Sequence, residues 1–362
     1  MIVARPELKQ LQDVPHGGYH SNLPCGDLLD FSSNVNPFGP SPSIWTAMQR
    51  VDIKQHPDPR AMSLRWALAA HHRVEPLALL VGNGAVELIY LLVLAYVRPG
   101  DRVVVVGPTF GEYAKASTIM GAEVVIHPTI PDHGFALDTD ALVTTVQQHS
   151  PRIIFLCNPN NPTGTCLERS TIERVLHACP DTLLVLDEAF AAFAPGYDKP
   201  IARLLEYPNL LVLRSMTKDY ALTGLRVGYA IGPAAIIAAL EAVQPPWSVN
   251  ALAQTAALAA LGDKDHMVNT LAALAESNNN LRCILKQHGF APHPSAVHFF
   301  LLTVRSATVA ARYLLTRGIL VRDCTSFGLP GYIRIASRQD DDNAKLIDTL
   351  VACKEELCKE RC

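Results

Sequence analysis

The chain has 362 residues, 49% of them hydrophobic and 18% charged, with a formal net charge of −3. That length and balance describe a globular protein with room for two cored domains, and they exclude a disordered chain or a strongly basic nucleic-acid binder. The nine cysteines show no paired framework, and the tail "VACKEELCKERC" (Cys353, Cys358, Cys362) lacks the CxxC spacing or nearby histidines of a metal site, so no metal is expected.

In chain order, "MIVARPELKQLQDVPHGG" has no apolar stretch of the signal-peptide kind, which points to a reducing cytoplasm. The run "LLVGNGAVELIYLL" reads as a glycine-rich turn opening a helix at about Gly84-Ala85, a seat for an anion on free N–H groups and the helix dipole. The apolar stretch 85–97 contains Glu87 and is too short to span a bilayer. Residues 101–108, 123–128, 152–159, 182–189, 209–215 and 225–232 are short, β-branched and apolar, and read as buried strands. Helix-length segments such as 111–120, 138–149 and 168–178 alternate with them. The expected fold is therefore α/β, a mostly parallel sheet covered by helices on both faces.

After about residue 245 the texture changes. A proline break is followed by a helix former, then by one long helix over 264–288. Residues 297–304, 319–324 and 332–338 read as strands of a smaller sheet, and the last 23 or so residues as an amphipathic helix. The predicted division is an N-terminal arm with part of the small domain (1–50), a large domain (51–245) and a small α+β domain (246–362). No internal repeat or low-complexity linker interrupts it.

Four features fall at strand ends, where open α/β sheets place their ligands. The glycine turn is the first, and it is no Walker A loop because no lysine follows at the required spacing. "CNPNNPTG" (157–164) forces an irregular loop that offers the Asn161 side chain. Asp187 closes the apolar run of "LLVLDEAF"; an ATPase aspartate would sit so, but the chain has no matching phosphate loop. Lys218 follows Ser215 and Thr217 and precedes Arg226. This combination describes a pyridoxal 5′-phosphate site. The cofactor needs an amine for its Schiff base, a carboxylate for its pyridine nitrogen, and donors for O3′ and phosphate. Lys218, Asp187, Asn161 and the group Gly84, Ala85, Ser215, Thr217 and Arg226 meet those needs, with Phe110 of "GPTF" stacked on the ring.

The order "NPTG … DEAF … SMTK … GLRVGY" resembles the fold-type I pyridoxal-phosphate enzymes of the class I/II aminotransferase superfamily over nearly the whole chain. The resemblance implies a homodimer with its active site at the subunit interface. Histidinol-phosphate aminotransferases and the L-threonine-O-3-phosphate decarboxylases of cobalamin synthesis look most similar. The stretches 16–18, 28–40 and 244–257 resemble the decarboxylase more closely, and Phe190 stands where many aminotransferases carry a tyrosine donor to O3′. Decarboxylation of L-threonine O-3-phosphate is therefore the expected reaction. Amino transfer from histidinol phosphate and decarboxylation of serine phosphate are the alternatives.

One departure concerns "QHPDP", where the family often has a tyrosine reaching the partner subunit's cofactor phosphate; His56 is placed to substitute for it. By the same resemblance Arg334 grips the substrate carboxylate. Arg322 and Arg338 are expected beside it to hold a substrate phosphate, completed by His16, Gly17 and Asn34 from the N-terminal arm. A regulator that merely holds the cofactor is disfavoured, since no basic DNA-binding domain precedes residue 30 and such a protein has no need of Lys218.

Overall fold

The computed structural model describes residues 2–3, 5–11, 14–18, 28–197 and 206–357; Cys358 and Cys362 lie outside them. The chain enters through β1 (Leu29–Asp30) and then builds seven strands: β2 (Leu79–Gly82), β3 (Arg102–Gly107), β4 (Glu123–Pro128), β5 (Ile153–Cys157), β6 (Leu183–Asp187), β7 (Leu210–Ser215) and β8 (Gly228–Ile231). They form one sheet in the order β2-β8-β7-β6-β5-β3-β4. Neighbours from β7 through β4 pair in parallel, whereas β8 pairs antiparallel with both β7 and β2. Thus β8 alone runs against the rest.

Every residue of β5, β6 and β7 is buried, because both faces of the sheet are covered. Side chains alternate between two cores: Val104, Ile154, Leu184 and Val212 enter one, and Val103, Val105, Ile153, Val185 and Leu213 enter the other. The fold class read from the sequence is the one observed.

The C-terminal third adds β9 (Phe299–Thr303), β10 (Ile319–Leu320), β11 (Arg322–Asp323) and β12 (Tyr332–Ala336). An antiparallel sheet in the order β11-β12-β9 packs on the long helix Lys264–Gln287 and the helix Asp340–Ala352 with its own core, which includes Leu281, Phe300, Ile333 and Leu346. The segment expected as one strand over 319–324 is two strands. Ile319 and Leu320 pair in parallel with β1, while Arg322 and Asp323 turn to β12. The N-terminal segment is thereby stitched to the smaller sheet, with Phe31 donating to Leu320 O at 2.8 Å and accepting from Ala336 N at 2.8 Å. Among the described residues no helix is long and apolar enough to cross a membrane, and no cluster of three or more His, Cys, Asp or Glu side chains is arranged to hold a metal ion.

Candidate active site

Parallel β3, β5, β6 and β7 end on one edge of the sheet, and β2 ends there too, opposite the start of β8 (Gly82↔Gly228). A cavity of about 830 Å³ opens at that edge, bounded above by the N-terminal segment and on one side by the small sheet. Its position follows from strand order: loops diverge where the order reverses between β5 and β3.

Lys218 sits in the turn after β7 with its amine in the cavity. Its backbone carbonyl accepts from Asn36 N at 2.9 Å, so the N-terminal segment braces that turn. Burial lowers the amine pKa to about 8, helped by the positive charges of Arg334 and Arg226. Asp187, the last residue of β6, is fully buried, and burial pushes its carboxyl up. Two donors oppose that push: Tyr113 Oη to Oδ2 at 2.6 Å, and Ala189 N to Oδ1 at 2.9 Å.

Around these two, Ser215 and Thr217 hydroxyls bond each other at 2.7 Å, and both line the cavity with Ala85 and Arg226. Gly84 does not line it but makes room behind it. With φ +77° it opens the helix Gly84–Tyr96, and a Cβ there would lie 2.7 Å from Arg226 Nη2. Phe110 and Asn161 line the opposite wall.

The side of the cavity next to the small sheet is set by a short turn. Asp30 Oδ1 accepts from Ser32 N, Ser32 Oγ and Ser33 N, folding residues 30–33 so that Ser32 O faces Arg334 Nη2 at 2.5 Å. Arg334 Nη1 donates to Asn161 Oδ1. Arg322 stands directly across from Arg334 in the β11–β12 pair, and its Nη2 donates to Pro15 O and to Ser326 Oγ, both at 2.7 Å. Burial lowers the Arg334 pKa to about 10, and the Arg322 charge adds to the effect. His16, Gly17 and Asn34 also reach the cavity wall.

Like Gly84, Arg338 does not line the cavity, and His56, expected at the partner's cofactor phosphate, lies elsewhere on its own chain. Arg338 lies past the end of β12, where the chain turns into the helix Asp340–Ala352; its Nε bonds Asp342 Oδ2 at 2.9 Å and its Nη1 bonds Asp30 O at 3.1 Å. These bonds tie the strand end to the helix and to the N-terminal segment, and Arg338 does not line the cavity. His56 is exposed and stacks on Trp247 at 4.8 Å, outside its own chain's cavity. Conversely, Tyr113 and Ser326 reach the site without having been read from sequence. Tyr113 lies three residues after Phe110, in the first turn of the helix Glu112–Ile119 that follows it.

The residues present fit pyridoxal phosphate. Asp187 is a buried carboxylate and Lys218 a buried amine, both lining the cavity. The space behind Arg226 exists because Gly84 has no Cβ. Among the described residues Arg334 Nε and Asn34 Oδ1 are buried without hydrogen-bond partners, as polar atoms prepared for a ligand would be.

Residues 26–350 match the model of the aminotransferase class I and II family. The chain is 36% identical to histidinol-phosphate aminotransferase of Symbiobacterium thermophilum over 95% of its length and 94% of the relative's. It is similar to the structure of histidinol-phosphate aminotransferase from Sinorhizobium meliloti in complex with pyridoxal-5′-phosphate, with TM-score 0.82, 27% identity and 90% coverage of each chain. L-Threonine-O-3-phosphate decarboxylase from Porphyromonas gingivalis shares the architecture, with TM-score 0.80 and 29% identity over 90% of this chain and 99% of that one.

The expectation of phosphothreonine decarboxylation, and of a cobalamin role, is overturned by the curated relatives, which at 32–36% identity over most of the chain are histidinol-phosphate aminotransferases. Of the stretches that suggested it, 16–18 and 28–40 carry His16, Gly17 and Asn34 to the cavity wall, whereas 244–257 contributes nothing to its lining. A pocket for a phosphorylated amine is needed in either reaction, so those stretches do not report which bond is broken. The chain belongs to the aminotransferase class I and II family, and its cofactor is pyridoxal 5′-phosphate.

Proposed function

We propose that the protein transfers an amino group between a phosphorylated primary amine, histidinol phosphate, and 2-oxoglutarate. The observation that carries this reading is the Arg322–Arg334 pair. Two buried guanidinium groups face each other across adjacent strands, where like charges repel. Among the described residues their hydrogen bonds go to neutral acceptors: Asn161 Oδ1, Ser32 O, Pro15 O and Ser326 Oγ. Such a pair gains most from a doubly charged anion. A phosphate monoester supplies one in the first half-reaction, and the carboxylates of the oxo acid meet the same cations in the second. The names of the curated relatives support the same substrate.

Pyridoxal 5′-phosphate, when bound, supplies a carbonyl that condenses with amines and a ring that accepts electrons from the substrate carbon. In this reading Asp187 holds a proton on the ring nitrogen, Phe110 stacks on the ring, and Asn161 offers its amide nitrogen to O3′, since its oxygen is taken by Arg334. Phe190 lines the cavity without a hydroxyl to assist. Ala85, Ser215, Thr217 and Arg226 seat the phosphate beside the helix N-terminus behind Gly84. Lys218, with its pKa lowered to about 8, takes a proton at Nζ from the substrate carbon and returns it one position along. The functional unit is a homodimer in which His56 reaches the partner's cofactor phosphate.

Amino transfer from histidinol phosphate to 2-oxoglutarate, followed as glutamate formed, tests the reading. Turnover with histidinol phosphate and at least a hundredfold less with unphosphorylated histidinol is expected, because the phosphate orients the reacting carbon. Carbon dioxide release from phosphothreonine without any oxo acid, and no glutamate from histidinol phosphate, would overturn it.

A further inference from the structure

Tyr113 is one of the largest fully buried side chains of the molecule. Its ring stacks on Phe155 at 4.9 Å with the planes 8° apart, and meets the edge of Phe110 at 5.6 Å. Core packing would account for an aromatic ring here but not for its hydroxyl, because a buried hydroxyl left unpaired is costly. The hydroxyl is aimed: Oη donates to Asp187 Oδ2 at 2.6 Å. The other oxygen, Oδ1, receives Ala189 N–H from the backbone, which no side-chain change removes. Two charged groups also act on this carboxyl in opposite senses, Glu188 pushing it up and Lys218 holding it down, while the neighbouring Cys157 thiol is pushed up to about 12 by burial and by the Asp187 charge and stays neutral.

We propose that Tyr113 is a positioning residue for the cofactor ring nitrogen: its hydroxyl keeps the buried Asp187 carboxylate ionised and turned toward the cavity. The proposal rests on the pyridoxal-phosphate reading of the cavity, and it is independent of which amine the enzyme takes. Burial pushes the Asp187 carboxyl toward its neutral form, and a neutral acid cannot stabilise a protonated ring nitrogen. A charge-assisted hydrogen bond of this length opposes that drift. The tyrosine hydroxyl, itself raised well above 10 by burial first and the Asp187 charge second, acts only as a donor across the working pH range.

The test is equilibrium binding of cofactor to the full chain freed of it, with no substrate present. Tyr113→Phe removes one oxygen and retains both ring contacts. Its affinity for pyridoxal 5′-phosphate should fall about tenfold or more, the worth of a hydrogen bond to a charged group. Its affinity for 1-deazapyridoxal 5′-phosphate, which has no ring nitrogen, should match that of the unaltered chain. In Asp187→Ala, adding Tyr113→Phe should weaken binding no further, because the two act as one unit. Equal weakening toward both cofactors, or none toward either, overturns the proposal, the former marking Tyr113 as packing alone. Loss of the histidinol-phosphate reading would leave all three results unchanged, whereas failure of both cofactors to bind the unaltered chain would sink the cavity assignment itself.

Discussion

Lys218 keeps its amine among Arg334 and Arg226 in a buried cavity, and burial brings its pKa from 10.5 down to about 8. A depression of that size corresponds to roughly 3 kcal/mol of penalty for carrying the charge in the folded chain. Between about pH 8 and pH 10.5 the unfolded chain binds the proton and the folded chain does not, so stability rises with pH through that window. Below pH 8 both states hold the proton and the penalty stands in full. Cofactor-free Lys218→Met should therefore be more stable than the unaltered chain at pH 7, by up to a few kcal/mol. The advantage should shrink by pH 10. Denaturant midpoints at the two pH values check this, and an advantage that does not change with pH would mean the amine is not the source. The same variant should lose turnover entirely, since the other amine lining the cavity, Lys115, is paired with Glu112 at 3.6 Å on a different element.

At the scale of elements, the turn from β2 into the helix Gly84–Tyr96 depends on a left-handed residue, Gly84 at φ +77°. A side chain there costs about 1 kcal/mol in backbone strain and its Cβ would press on the Arg226 guanidinium. Gly84→Ala should weaken binding of pyridoxal 5′-phosphate severalfold while barely changing that of pyridoxal, which lacks the phosphate. Equal weakening of both would place the phosphate elsewhere. This turn was legible from glycine spacing, and six strands of the main sheet from their apolar runs: five are buried on both faces, while β4, read as buried, is a half-exposed edge strand with Ile126 54% exposed. The seventh, β2, escaped notice because its four residues merge with the turn they precede. The split of residues 319–324 was illegible for another reason: Leu320 and Arg322 pair with strands about 290 residues before and 12 residues after them, and local pattern carries no partner. The position of Arg338 outside the cavity lining was illegible in the same way. Its spacing from Arg334 suggests a shared face, but β12 ends at Ala336, and Asp342 and the Asp30 carbonyl claim the guanidinium.

At the scale of the whole molecule, the cofactor was readable because each of its chemical needs falls to a residue type at a strand end. The reaction was not. Whether a proton or a carboxylate leaves depends on angles about one carbon, set by side chains from the N-terminal segment, β11 and β12 together. Assembly is the remaining question at this scale. Trp45, Trp66 and Trp247 are 59%, 60% and 46% exposed and Ile53 is 81% exposed, an apolar set that monomers seldom present. Trp45 and Trp66 lie on the helices Pro42–Met48 and Met62–His72, which both pack on the helix Ala251–Gly262 that follows Trp247, and Trp247 carries His56. In the proposed dimer these residues face the partner and His56 enters its cavity. A complementation experiment tests that exchange directly. His56→Ala and Lys218→Ala should each be weak or inactive alone. A mixed dimer has one site with both residues altered and one with both intact, because Lys218 comes from one chain and His56 from the other. After dissociation and re-pairing of equal amounts, about half the dimers are mixed, so about a quarter of wild-type activity should return. If the mixture shows no more than the average of its two parents, His56 does not serve the partner's site, and its exposure beside Trp247 needs another explanation.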